Sequence, residues 1–494
     1  MMVKDKHAHH PESITQKVED LMPEATKVQN HCKSRISRVE TTDERITGRG
    51  GLSLFVRYLE GTGVLAMLDS CFGSVRKSRK GLPVSEMFKQ ILCFFMDGTS
   101  RHLRHFDQLT NDPGYAATIQ TRPKAMASSH AIKRFMKAFS MPLVWFFRWV
   151  LLELFVWRLR LKKPEIIILG IDLVVLNNDD AVKREEVKPT YKKVKGFGAL
   201  NLTWENLVVD SVLRSGNKHS NHGRSVHRMI KRVVTKIRNR YADSVPILFR
   251  MDSGFLDQSV MDLIEDLDLG HTVSGKLYKD TTAVMEQIPE HDWQRYYGRG
   301  PAEENQIWEF FEFGDRRGTW NRFRRAIFTR PMMSELGQHY LPTLRPCQVI
   351  ETNLGMGQAI DRKLAMAGYG YLTSPEGIID LHHGRGEDEL VFRSVKDFGS
   401  EALPFQSFRA NAVYYYCMLL AHFLFCCFKT DVCSGVMDEN AYPTTVRRKL
   451  IDIGAKIVSH AGSQVLKVAR AVWDRLQFDL LWQRSGRPPQ IQLV

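Results

Sequence analysis

Apolar and polar residues alternate along this chain with three different textures. From about residue 49 to 157 apolar positions recur at helical spacing, interrupted by the turn-rich stretches SVRKSRKGLP (74–83) and LTNDPGY (109–115). This predicts a helical amino-terminal region over residues 49–160, preceded by a flexible segment, 1–48. Ser128 and Ser129 precede HAIKRFMKAF, a serine N-cap followed by basic turns that suits either a helix laid on phosphates or an ordinary amphipathic helix. At Pro164 the texture becomes EIIILGIDLVVL, β-branched and bounded by Pro and Asn, which reads as a buried central strand. Strands are predicted over 197–204 and 206–216, a basic helix over 223–241, a strand from 245, a helix in LDQSVMDLIEDLDL and a strand over 271–277. Three strands, then helix, strand, helix, strand make a mixed α/β sheet.

Between 278 and 374 that alternation stops, and IWEFFEFGD (307–315) and WNRFRRAIFTR (320–330) pattern as a β-hairpin. The expected organisation is therefore an α/β domain formed by 161–277 and 375–430, a β-rich insertion over 278–374, and a basic helical carboxy-terminal region over 431–494. Two apolar runs, 142–157 and 412–428, resemble membrane spans. The first is interrupted by Arg148 and Glu153 and the second by His422, and both fall short of the roughly 20 residues a bilayer needs, so buried helices are expected.

Composition narrows the partners. The 70 Lys and Arg against 55 Asp and Glu leave a net charge of +15, which suits a polyanion such as nucleic acid and also an unspecialised cationic surface. The 8 cysteines form no CxxC pair, and several sit in apolar runs, which fits a reducing cytoplasm. The amino terminus, MMVKDKHAHHPE, has no apolar core of a secretory signal, and its histidines read as a frayed polar end rather than a metal site.

Among the 55 acidic residues three stand apart. Asp172 lies inside a strand-like apolar run, Asp252 follows ILFR and precedes the turn residues Ser253 and Gly254, and Glu389 sits on a predicted helix. A carboxylate buried in a strand is costly unless paired or bound to metal. Two strand aspartates and a helix glutamate make an all-oxygen cage for Mg2+ or Mn2+, with room for two ions in phosphoryl transfer. Salt-bridged aspartates and a solvated glutamate are the alternative. His382, Arg385, Glu389 and Lys396, spaced by 3, 4 and 7 residues, fall within roughly 60° of one helical face. That face would set a carboxylate among phosphate ligands, although pairing of Arg385 with Glu389 is also ordinary.

The pattern His382-x2-Arg385-x3-Glu389-x6-Lys396 resembles the Tyr-x2-Arg-x3-Glu-x6-Lys signature of insertion-sequence DDE transposases, with His in the Tyr position. IDLVVLN with Asp172, RSGNKHS (214–220), RMDSGF with Asp252 and TTVRRKL (444–450) are similar to segments of the same group, in the same order. The resemblance implies an RNase H-like catalytic domain with a β-rich insertion between the second aspartate and the glutamate. It implies Asp172, Asp252 and Glu389 as the catalytic and metal-binding triad, holding two Mg2+ or Mn2+ ions, and Arg385, Lys396 and His382 as DNA contacts. Arg214, Asn217 and His219 either reach DNA or simply form a turn. The expected activity is cleavage at the ends of an element and transfer of the 3′-hydroxyl into target DNA, by an oligomer, as a dimer, that pairs two terminal inverted repeats in a bacterial cytoplasm at the nucleoid. The alternatives are a transposase-derived DNA-binding protein without catalysis and a metal-dependent nuclease without strand transfer. Both gaps in the triad have room for the predicted elements: 252 minus 172 is 80 residues, and 389 minus 252 is 137.

Overall fold

The computed structural model describes residue 36 and residues 38–76, 80–181, 183–297, 307–332 and 346–492. The amino-terminal histidines singled out above lie outside the described residues. The segment expected to be flexible nevertheless contributes a strand, β1 (Arg45–Thr47). The longer helices of the amino-terminal region follow: α1 (Leu52–Thr62), α2 (Val64–Phe72), α3 (Val84–Asp97) and α4 (Ser129–Lys137). Ser128 caps α4, accepting from the Ala131 N–H at 3.3 Å. Next come the long α5 (Met141–Lys162), β2 (Ile167–Asn177), β3 (Lys188–Pro189), β4 (Lys195–Trp204), β5 (Leu207–Ser215), α6 (Ser225–Arg240), β6 (Ile247–Met251), α7 (Gln258–Asp266) and β7 (Gly270–Ser274). The strands and helices predicted between Pro164 and residue 277 are therefore present within a few residues of their expected ends.

The central sheet runs β3-β4-β2-β6-β7-β11-β10-β9-β8, with β5 on the outer side of β4. Here β8 is Gln294–Tyr297, β9 Ile307–Asp315, β10 Arg324–Pro331 and β11 Gln348–Thr352. Strands β2, β6 and β7 are mutually parallel, whereas β4 and β5 return antiparallel. The predicted hairpin is β9–β10, paired from Arg324↔Asp315 onward. It does not stand apart as an inserted body. β11 pairs antiparallel with β7, so the insertion prolongs the same sheet to ten strands. Arg324 anchors it: wholly buried, it donates to Asp262 at 2.6 Å and Glu265 at 3.1 Å on α7.

After the insertion come α8 (Pro375–His383), α9 (Arg385–Phe398) and α10 (Phe408–Phe428). α10 is apolar on every face because it is enclosed on every face. Phe428 meets Phe55 of α1, Tyr414 meets Phe95 of α3, and Tyr416 stacks on Phe147 of α5, with centroids 5.6, 5.2 and 5.7 Å apart. Tyr416 also donates to the Ser211 carbonyl of β5 at 2.9 Å. Amino-terminal helices, sheet and α10 thus share one core, and no break in packing falls at the boundary expected near residue 160. Among the described residues one helical stretch, Phe408–Cys433, is long and apolar enough to cross a membrane, and its most apolar part is buried in the chain.

The polar residues that interrupt the two apolar runs have internal partners. Arg148 donates twice to Asp210 of β5, at 2.7 and 2.6 Å, Lys236 pairs with Glu153, and His422 shares a 2.9 Å hydrogen bond with Ser394. The carboxy-terminal region departs from its helical expectation. β12 (Ala455–His460) and β13 (Ser463–Val468) form a hairpin, and β1 completes a three-stranded sheet by pairing with β12.

Candidate active site

Parallel pairing of β2 with β6 places Ile171 opposite Met251. The next residue on each strand is therefore Asp172 and Asp252, side by side at about the 4.8 Å spacing of neighbouring strands. Asp172 is held by its own strand, its Oδ1 accepting from the Leu173 N–H at 2.7 Å. Asp252 ends β6 and caps a short 3-10 turn, its Oδ1 accepting from the Gly254 N–H at 2.9 Å. A Cβ on Gly254 would come within 2.7 Å of Ser220 Oγ, so the bare glycine gives the 217–222 loop room to lie against this turn.

The third carboxylate arrives on α9. Asp388 faces inward, accepting from Thr203 Oγ1 at 2.9 Å and from the Arg250 guanidinium at 3.2 Å. It also explains a glycine in mid-strand: a Cβ on Gly170 would lie 2.5 Å from Asp388 Oδ2. With Asp388 seated against β2, the next residue, Glu389, projects outward and is 65% exposed. Arg385, one turn earlier, lies 3.5 Å from the Glu389 carboxylate.

Electrostatics tie the groups together. Burial and the neighbouring charge of Asp252 push the Asp172 carboxyl up to about 6, opposed by the Leu173 N–H and Arg385, with Glu389 adding to the rise. Asp252 is raised as well, first by burial, against its turn N–H groups and Arg385, with Glu389 again contributing. Each aspartate thus feels Glu389 and Arg385. Among the described residues no three His, Cys, Asp or Glu side chains close into a ready metal cage, consistent with a Glu389 turned toward Arg385 rather than toward the aspartates. The donor set is nevertheless all carboxylate, and two raised aspartates side by side are electrostatically suited to a divalent cation.

This yields a pH prediction. A carboxyl whose native value lies above its unfolded one makes the metal-free chain lose stability as pH rises from about 4 through 6, where the native state must give up the proton. Metal binding needs that proton gone. Mn2+ is expected to raise the melting temperature at pH 7.5 and to have little effect at pH 5. An equal shift at both pH values would remove Asp172 from the metal site.

The structure treats the remaining sequence candidates unequally. His382 is not on the face of Glu389. The helix breaks at Gly384, where a Cβ would lie 2.4 Å from the Arg250 guanidinium, and His382 belongs to α8. Its ring is buried against Thr272 Oγ1 (3.2 Å), Ser274 Oγ (3.1 Å) and Gln348 Nε2 (3.2 Å), and burial drives it down to about 3, a neutral core histidine. Arg214 also turns inward. It donates to the His219 and Ser220 carbonyls and to Ser225 Oγ at 3.0 Å, and with no acid beside it burial lowers it to about 10. Asn217 and His219 are exposed on the same loop. Lys396 lies two turns beyond Glu389 and pairs with Glu401 at 3.1 Å, while Glu401 accepts from the Asn177 N–H at the end of β2. Trp308 packs against His383, centroids 4.8 Å apart, and Trp320 is buried beneath Arg317 and Arg324.

Sequence reading passed over Asp388, Arg250 and Tyr191. The first two have no local pattern to betray them, since their meaning is the contact between β6 and α9. Tyr191 sits in KPTYKKVK, a turn whose closeness to Asp172 appears only when β3 and β4 fold beside β2.

No curated protein matches the chain. Among solved structures it is similar to a piggyBac transposase synaptic complex with hairpin DNA, at 9% identity over 82% of this chain and 80% of that one, with a TM-score of 0.39, too low to argue from. The family described as transposase DDE domain, group 1, matches residues 29–485, so the chain belongs to the DDE transposases.

Proposed function

We propose that this protein is a cut-and-paste transposase of an insertion sequence, with Asp172, Asp252 and Glu389 as its catalytic carboxylates. The observation that carries the reading is the in-register placement of Asp172 beside Asp252 with Glu389 on a helix whose charge both aspartates feel. The strand order β5-β4-β2-β6-β7, with β2, β6 and β7 parallel, supports an RNase H-like core. The three carboxylates would hold two Mg2+ or Mn2+ ions, which when bound would activate the attacking oxygen and stabilise the leaving one. Water opens a phosphodiester at the element end, the leaving 3′-oxygen taking a proton. That 3′-hydroxyl then bonds to a target phosphorus as the target's own P–O3′ bond breaks. Arg385 and Lys396, one on each side of Glu389 along α9, neutralise flanking phosphates by exchanging their present carboxylate partners for DNA. His382 and Arg214 support this surface from within.

DNA held at two ends by a dimer needs contacts beyond the carboxylates. α9 ends at a cleft of about 280 Å3 lined by Arg101 and Arg448, and adjoining clefts add Arg104 on one side and Lys449 and Arg475 on the other. All five cations are exposed, and none forms an ion pair among the described residues. The combined change Arg101→Ala, Arg448→Ala and Arg475→Ala is expected to lower the slope of log affinity against log salt by about three, roughly 0.9 per lost phosphate contact. An unchanged slope would place the DNA elsewhere.

The test of the proposal is incubation of the native chain, with Mg2+ or Mn2+, with a labelled duplex copied from the inverted repeats flanking the coding sequence. Joined products establish the transposase. Cleavage without joining makes it a nuclease, and tight binding without cleavage makes it a DNA-binding protein.

A further inference from the structure

The turn between β3 and β4 is rigid, basic and tipped by an aromatic ring. The Thr190 N–H and Oγ1 both donate to the Val194 carbonyl, at 2.9 and 2.8 Å, and the Lys193 N–H returns to Thr190 at 3.0 Å. Lys193 adopts a left-handed φ of 61°, which tightens the turn further. Tyr191 stands at its tip with 65% of its surface exposed, yet its hydroxyl donates to the Leu173 carbonyl at 3.1 Å. Leu173 is the residue after Asp172, so the phenol is pinned beside the first aspartate while the ring faces solvent. Burial of the hydroxyl and the charges of Asp172 and Asp252 push it up to about 12, which keeps it a hydrogen-bond donor. Lys188, Lys192, Lys193 and Lys195 flank it in the chain, all exposed and none in an ion pair among the described residues. The Lys192 ammonium lies 5.9 Å from the ring centroid.

A large ring held in the open by its own hydroxyl makes no packing contribution in proportion to its size. Fixed aromatics ringed by cations are what unpaired nucleotides bind, through base stacking and phosphate contacts. We propose that Tyr191 is a stacking platform for an unpaired base next to the scissile phosphate, with Lys192 and Lys193 on the adjoining backbone. It is a positioning residue that acts on the DNA strand and takes no part in bond making. The proposal rests on the transposase reading and adds to it that the strand end is locally opened on the Tyr191 side of the two aspartates.

The experiment uses the full chain and two duplexes copied from the flanking repeat, one fully paired and one mismatched at the nucleotides beside the cleavage position. Each also carries 2-aminopurine there for a fluorescence reading of stacking, taken in Ca2+ so that no strand is cut. Tyr191→Ala is expected to cut the paired duplex on the order of tenfold more slowly than the native chain and to recover most of that loss on the mismatched one. On the mismatched duplex, where the base is already open, its 2-aminopurine emission should rise, while Tyr191→Phe, which keeps the ring but loses the bond to the Leu173 carbonyl, should fall between native and Tyr191→Ala in both readings. Equal slowing of Tyr191→Ala on both duplexes, or no change in emission, overturns the platform. If the native chain cuts neither duplex, the transposase reading fails, and the emission difference between native and Tyr191→Ala still decides the platform.

Discussion

Asp252→Asn is expected to bind the flanking duplex as the native chain does and to yield neither cut nor joined strands, a loss of about a thousandfold or more. The amide is nearly the same size as the carboxylate, and it can still accept from the Gly254 N–H that shapes the turn. What disappears is one negative charge beside Asp172, and with it much of the attraction for a divalent cation. Supporting residues around metal ligands typically cost 10- to 100-fold when removed, so a direct ligand in a two-ion site should cost more. Strand cleavage and joining on one gel, with binding measured separately, read the effect. Asp388→Asn is the informative contrast. Asp388 accepts from Thr203 and Arg250, so its change should lower thermal stability and leave appreciable activity. If Asp388→Asn abolishes cleavage while Asp252→Asn retains it, the assignment of the triad is wrong.

Asp210→Ala should destabilise the fold by about 3 to 5 kcal/mol, because it strands the Arg148 guanidinium in the core between α5 and β5. Both partners are buried, so no water is at hand to replace the lost carboxylate. The pair as a whole is a different matter. Exchanging both residues for apolar ones, Arg148→Met with Asp210→Leu, removes the burial cost of two charges along with their attraction, and should return most of the lost stability. Chemical denaturation of the two single variants and the double variant forms the cycle. If Asp210→Ala unfolds at the native denaturant concentration, the ion pair does not hold α5 to the sheet.

Much of the local structure is legible in the residues. The β-branched run around Asp172, the alternation in residues 307–330 and the turn residues after Asp252 each specify an element from their immediate neighbours, and the elements are there. The motif around Glu389 was legible as a motif and misleading as geometry. Its spacing implies one helix, but Gly384 interrupts it so that Arg250 can pass, and His382 is left on the far side of the break. Periodicity cannot register that, because the reason is a side chain from a strand more than a hundred residues earlier. The same holds for Arg214, whose position at the end of a strand suggests exposure until the 217–222 loop folds over it.

Hydrophobic spacing and turn chemistry are properties of neighbouring residues, so strands, helices and the acidic candidates could be read before any folding was known. Pairing is a property of residues far apart in the chain. The parallel register of β2 and β6 sets Asp172 beside Asp252, and the seat of Asp388 under Gly170 turns Glu389 outward. The continuation of the sheet through β11, the strand made by Arg45–Thr47 and the placement of Tyr191 beside the aspartates arise in the same way. Each depends on which surfaces meet, and burial and hydrogen bonding settle that only when the whole chain is assembled.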